Sequence, residues 1–280
     1  MKFNTIAASF ATAAALSLAS TSASAITVSG VSWDPNAALD FSAVTSLLQN
    51  TAFIIGDEIT GIGVVNQVNG VTGYCAGCQL TFQFGGYKLI DNNPTNYDPD
   101  AGGPIDGADY GISAPIPDTN IFGIYKFTGG WLNIYVDSGT LIDPNDLASG
   151  AASVTEATDG NLWLSLLATD VNGNNNGTTL QGILSAEFIN GLSGNGSGYF
   201  DVVGGLAAPY VDTDGQTNGR DFSFTASFQP IGSTTEDGLT HFGSAEVKGD
   251  SNSIPEPSAL ALLGIGLIGL GAARRLKKAA

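Results

Sequence analysis

Positive charge is the scarcest commodity in this chain. Nine lysines and arginines stand against 26 aspartates and glutamates, and five of the nine lie in the terminal segments at Lys2, Arg274, Arg275, Lys277 and Lys278. Residues 26–250 therefore hold four bases against 25 acids. Such a surface repels phosphate backbones and anionic lipid, so nucleic acid is excluded as a partner, while divalent cations, cationic polymers and neutral sugars stay open. Charged residues of both signs make up only 12% of the chain, against a usual ~25%. Long amphipathic helices with charged outer faces are not expected. Histidine occurs once, at His241, and no Gly-x-Ser-x-Gly is present, so nucleophilic hydrolysis lacks its parts. Carboxylate pairs for glycosidase chemistry are too common among 25 acids to be specific. The expectation is a protein that is not an enzyme.

Cysteine occurs twice, in Cys75-Ala76-Gly77-Cys78. Three readings are open. A disulfide closing a tight turn suits an exported chain. A redox dithiol would want the first cysteine at a helix N-terminus, whereas Leu80-Thr81-Phe82-Gln83-Phe84 reads as a strand. A metal site would need further ligands, and His241 is the one imidazole available.

Glycine is abundant, at 38 residues. About ten strand-like runs between turn signals fill residues 26–250. They include Ser29–Trp33, Phe53–Val65, Leu80–Phe84, Leu162–Leu167, Thr179–Ile189, Tyr199–Val203, Asp221–Phe228 and His241–Val247. Ile121–Phe127 and Trp131–Val136, separated by Thr128-Gly129-Gly130, predict a hairpin. Residues 37–49, with Asp40 as a cap before Val44, Leu47 and Leu48, predict a short helix. The fold class expected is all-β, an antiparallel β-sandwich or jelly-roll-like ectodomain. The longest turn-rich stretch, residues 91–117, holds five prolines.

Oxygen-rich loops are the candidate metal sites. Asp170, Asn172 and Asn174 alternate as calcium ligands do, and Asp212 and Asp214, with Asn218 and Asp221, are similar in kind; Asp98, Asp100, Asp106 and Asp109 form a third group. The first loop departs from an EF-hand at its sixth and twelfth positions. Such clusters also build ordinary turns, so calcium is the one cofactor left open. Trp33, Trp131, Trp163, Tyr97, Tyr110 and Tyr210 could stack on sugars or fill a core.

Both ends carry addresses. Lys2, the apolar run from Ile6 to Ala19 and the cleavage site Ala23-Ser24-Ala25 form a secretory signal peptide over residues 1–25. Residues 251–253 read as a linker. Residues 254–280 follow as Pro255-Glu256-Pro257, an uncharged run over 258–273, and a basic tail over 274–280. The run spans roughly 24 Å as a helix, slightly short of a ~30 Å hydrocarbon core, and its cations hold that end in the cytoplasm. A terminal signal helix and a C-terminal transmembrane helix are therefore expected around the ectodomain.

The order Pro-Glu-Pro, short apolar span, Arg274-Arg275 resembles the PEP-CTERM sorting signal of Gram-negative bacteria, the substrate of the membrane transpeptidase exosortase. The resemblance covers about a tenth of the chain. It implies export, transient inner-membrane anchorage, processing near Pro255-Glu256-Pro257, and delivery to the cell surface or an exopolysaccharide matrix. On that basis the expected role is structural or adhesive in an extracellular matrix or biofilm. A carbohydrate-binding module, calcium-assisted or not, is the alternative, and an envelope hydrolase the third reading.

Overall fold

Alternation of apolar and small polar residues builds most of the strands. In Phe222-Ser-Phe-Thr-Ala-Ser-Phe228 the phenyl rings and Ala226 face one side and the hydroxyls the other. The computed structural model of the protein describes residues 25–37, 40–52, 54–93, 121–173, 177–187 and 191–252. The expected signal helix, the 258–273 span and the Asp98–Asp109 group lie outside the described residues. The described strands fall within one compact unit, Ile26–Asn252.

A short hairpin, β1 (Ile26–Val28) and β2 (Val31–Trp33), opens the chain. The single strand expected over Ser29–Trp33 is instead split, because Ser29 and Gly30 both take positive φ (53° and 88°) and make the turn. The main sheet follows: β3 (Phe41–Gln49), β4 (Glu58–Val68), β5 (Gln79–Asn93), β6 (Ile121–Asp137), β7 (Asn161–Thr169), β8 (Leu180–Glu187), β9 (Gly191–Gly204), β10 (Phe222–Pro230) and β11 (His241–Gly249). Every pairing among the described strands is antiparallel, and within β3 to β7 and within β8 to β11 each strand pairs with the next in sequence. β7 and β8 share one position, both lying between β6 and β9. They form one strand interrupted by an excursion over residues 170–179.

The ladder closes on itself. β11 pairs with β3 from His241↔Gln49 to Gly249↔Phe41. The all-β, antiparallel class is as expected, but the main sheet is an up-and-down barrel of eight positions, and among the described residues it shows no jelly-roll crossing and no second sheet stacked on it. Closure removes the open edges that a sandwich leaves.

Two further expectations are corrected. Residues 41–49 form strand β3, not a helix. Leu47 faces the interior and Leu48 an outer layer, so a strand buried on both sides mimics helical spacing. Residues 121–137 are one strand, not a hairpin. Gly129 and Gly130 take positive φ (75° and 108°) inside it, and the Tyr87 and Trp131 rings lie over this glycine pair and over Gly86 opposite. The glycines bend the strand without reversing it.

The outer layer covers β3 and β4. Helices α1 (Pro144–Ser149) and α2 (Val154–Thr158) place Leu147 and Ala157, with Ile142 and Leu239, against Leu48, Ile62 and Val64. Asp143 caps α1 ahead of Pro144, and Ser153 with Glu156 forms a capping box on α2. Gln79 pins the crossing by bonding both the N–H (3.0 Å) and the carbonyl (2.9 Å) of Ile142.

Candidate functional site

One end of the barrel is plugged. Trp33 of β2 drops onto Phe41, Trp163 and Tyr210, with ring centroids 5.9, 5.8 and 6.1 Å apart. Trp163 donates from Nε1 to the Val28 carbonyl (3.2 Å), and helix α3 (Ala208–Val211) packs Val211 beside them. Two of the three tryptophans considered as sugar platforms are therefore core residues. Trp131 is half-buried over Gly85 and Gly86, Tyr210 is half-buried against Trp33, and Tyr97 and Tyr110 lie outside the described residues.

Cys75 and Cys78 are joined as a disulfide at this plugged end, with Cα atoms 5.3 Å apart and Gly77 at φ 75° in the turn. Tyr74 beside it accepts from the Leu80 N–H (3.2 Å) and donates to the Val65 carbonyl (2.7 Å); burial raises its pKa. Gly30 abuts Cys78, where a Cβ would approach Sγ to 3.2 Å. The bridge thus braces the β1–β2 turn.

Above the plug the barrel holds a cavity of about 130 Å³. Its wall includes Phe82 and Phe84 from β5, Leu132 and Ile134 from β6, and Phe224 from β10, and no described residue of the wall is charged. Gly61 and Gly63 make room for these rings: a Cβ there would stand 2.5 Å from Phe84 and 2.3 Å from Phe82. The cavity extends away from the plug to Thr51, Asn195 and Phe228. Tyr87, buried on its wall, has a hydroxyl without a hydrogen-bond partner among the described residues. Burial drives its pKa far upward, so it stays a neutral phenol.

The aspartate loops come together, though their carboxylates are used locally. Asp170, buried, accepts from the N–H of Asn172 (2.8 Å) and of Gly177 (3.0 Å), closing the excursion between β7 and β8. Asn172 is exposed, and Asn174 lies outside the described residues. Gly173 meets Asn218 of the second loop, where a Cβ would come within 2.6 Å of its amide nitrogen. In that loop Asp212 and Asp214 are exposed. The organiser is Asp221, which spends its carboxylate on the backbone. It accepts from the N–H groups of Val202 (2.7 Å), Thr213 (2.7 Å) and Asp214 (2.8 Å). Asp201 is raised in pKa by burial and by Asp221 and Asp214, while Arg220 at 3.3 Å lowers it. Asp212 is raised by partial burial and the same two neighbours. Among the described residues no group of three or more His, Cys, Asp or Glu side chains is arranged to hold a metal ion.

The chain leaves the barrel at the plugged end. The Asn252 N–H donates to the Tyr210 carbonyl (2.7 Å) and its side chain to the Asp212 carbonyl (3.2 Å), so Asn252, expected in a linker, is docked. Residues 253–275 then match the family model of the PEP-CTERM protein-sorting motif. The chain carries a PEP-CTERM sorting signal. No curated protein and no solved structure matches it. The PEP-CTERM signal implies an exported protein with a membrane-anchored transit step, recognised by exosortase. Pro255, Glu256, Pro257, Arg274 and Arg275 fall inside the matched segment, and Ala23 precedes the described residues. Ala25 is exposed immediately before β1. No helix among the described residues is long and apolar enough to cross a membrane, which says nothing of residues 258–273.

Proposed function

We propose that the protein is an exported structural or adhesive component of the cell surface or extracellular matrix, delivered there through its PEP-CTERM signal. The observation that carries this reading is the match at residues 253–275 directly after a folded barrel. Two properties support it. A closed ladder offers no free strand edge to neighbouring chains, and an excess of acids keeps copies apart at high density. Replacing Pro255-Glu256-Pro257 by alanines, followed by fractionation of the producing cells, should leave the protein in the membrane. Release at the unaltered level would remove the sorting step from the proposal. A strain lacking the protein should form a matrix that sheds cells more readily under flow, and unchanged cohesion would count against the structural role.

The meeting of the two aspartate loops at Gly173 and Asn218 favours a second reading, calcium-assisted binding of exopolysaccharide. A glycan array run with and without chelator separates the two. Chelator-sensitive binding would displace the structural role.

A further inference from the structure

We propose that the barrel interior takes a short, neutral, unbranched amphiphile, its chain lying along the barrel and its single uncharged hydrogen-bonding head meeting the Gln49 amide at the open end. An eight-position barrel is just wide enough to be filled by its own side chains or to hold one small ligand. Here it is not filled: a cavity of about 130 Å³ remains, and Phe84, Phe224 and Phe228 on its wall are only half-buried. Strand β3 shows its shape. Phe41, Ala43, Thr45, Leu47 and Gln49, alternate residues over about 26 Å of strand at ~3.3 Å per residue, all line it. So small a volume drawn out over that length is a slot, which suits a chain better than a ring. Apolar cavities near ~150 Å³ accept benzene, which sets the ligand at about six carbons.

Gln49 sets the chemistry of the head. It is 6% exposed and lines the cavity, and its side-chain amide makes no hydrogen bond among the described residues, yet its nitrogen and oxygen keep accessible surface. That is an uncommon state for the polar group of a buried residue. Thr45, on the same face of β3, is by contrast satisfied: its hydroxyl accepts from the Ala245 N–H and donates to the Ala245 carbonyl, both at 3.2 Å. A water at the mouth serves the Gln49 amide but leaves the apolar slot beneath it unfilled. A hydroxyl, carbonyl or amide head serves the amide while its chain covers the rings. Carboxylate and ammonium heads are excluded, since no described residue of the wall is charged and a buried unpaired ion is costly. Trp33 closes the Phe41 end, and exposed Asn195 borders the cavity away from that plug, so entry is from the Gln49 end.

The test uses the exported protein purified from its producing cells, with 1-hexanol, cyclohexanol and hexanoate as probes in calorimetric titrations at pH 7. 1-Hexanol should bind once per chain and more tightly than cyclohexanol, and hexanoate should not bind. Gln49→Leu should weaken 1-hexanol roughly fivefold through the loss of one hydrogen bond. Ala226→Leu, which fills the cavity from β10, should abolish binding while far-ultraviolet circular dichroism stays unaltered. Absence of 1-hexanol binding to the unaltered protein would overturn the proposal. So would hexanoate or cyclohexanol binding as tightly as 1-hexanol, or 1-hexanol binding that neither substitution diminishes. Should the variants not fold, the three probes on the unaltered protein decide alone. Cell fractionation is a separate readout, so failure here leaves the sorting reading standing.

Discussion

At the residue scale the barrel depends on groups whose roles are invisible in composition. Asp221 is one acid among 26, yet it is buried and receives three backbone N–H groups, joining the start of β10 to β9 and to the 212–215 turn. Asp221→Ala strands three donors and should cost about 3 kcal/mol, read as a lowered urea midpoint; Asp221→Asn, which keeps one acceptor oxygen, should cost less. Gly63 is another such residue. A side chain there must displace the Phe82 ring and the Ser46 carbonyl, each 2.3 Å from the added Cβ. Gly63→Ala should destabilise the fold by about 2 kcal/mol in the same assay, and a neutral result would mean that the Phe82 ring moves freely.

At the scale of elements, patterning and outcome part company where a strand is buried on two sides or bent by glycine. Leu47 and Leu48 look like one helical face, but they serve the barrel interior and the outer layer respectively. Thr128-Gly129-Gly130 carries turn chemistry and yet runs straight through, because Gly86 faces it and Tyr87 and Trp131 cover both. Helices α1 and α2 were not expected from the sequence, being short, although Asp143-Pro144 and the Ser153 to Glu156 capping box mark their starts. The Cys75–Cys78 loop is an element of its own. Replacing both cysteines by serine should lower stability by about 2 kcal/mol in the chain-entropy account, with β1 and β2 losing amide protection first because their turn rests on the bridge. Uniform loss of protection across the barrel would show that the bridge acts globally.

For the whole molecule, charge is the governing quantity. Asp201 and Asp212 are raised in pKa, chiefly by burial and then by neighbouring carboxylates. A raised carboxylate means that the folded state binds more protons than the unfolded chain between about 3.9 and the raised value, so stability rises as pH falls into that window. The melting temperature should therefore increase as pH is lowered from 7 towards about 4, and Asp212→Asn should shrink the increase. A monotonic fall in melting temperature over that range would contradict the direction assigned to both groups. Calcium gives a parallel check. Asp170 and Asp221 already spend their oxygens on backbone amides, so calcium should leave the melting temperature unchanged if these loops are turns and raise it if they bind the ion.

The sequence alone determined the address and the class. The order of Pro255-Glu256-Pro257, an apolar run and Arg274-Arg275 is local, so it can be read without a fold, and alternation with glycine-rich turns requires antiparallel strands whatever their arrangement. Only the tertiary structure decided that the ladder closes. The pairing of residues 41–49 with 241–249 joins segments some 200 positions apart, and a strand with one apolar face satisfies a sandwich and a barrel equally well. It also decided that Trp33 and Trp163 are core residues and not a sugar platform. The cavity inside the barrel belongs to that level too, because an empty volume is set by side chains from strands distant in sequence meeting around it, and no local pattern encodes what fails to touch.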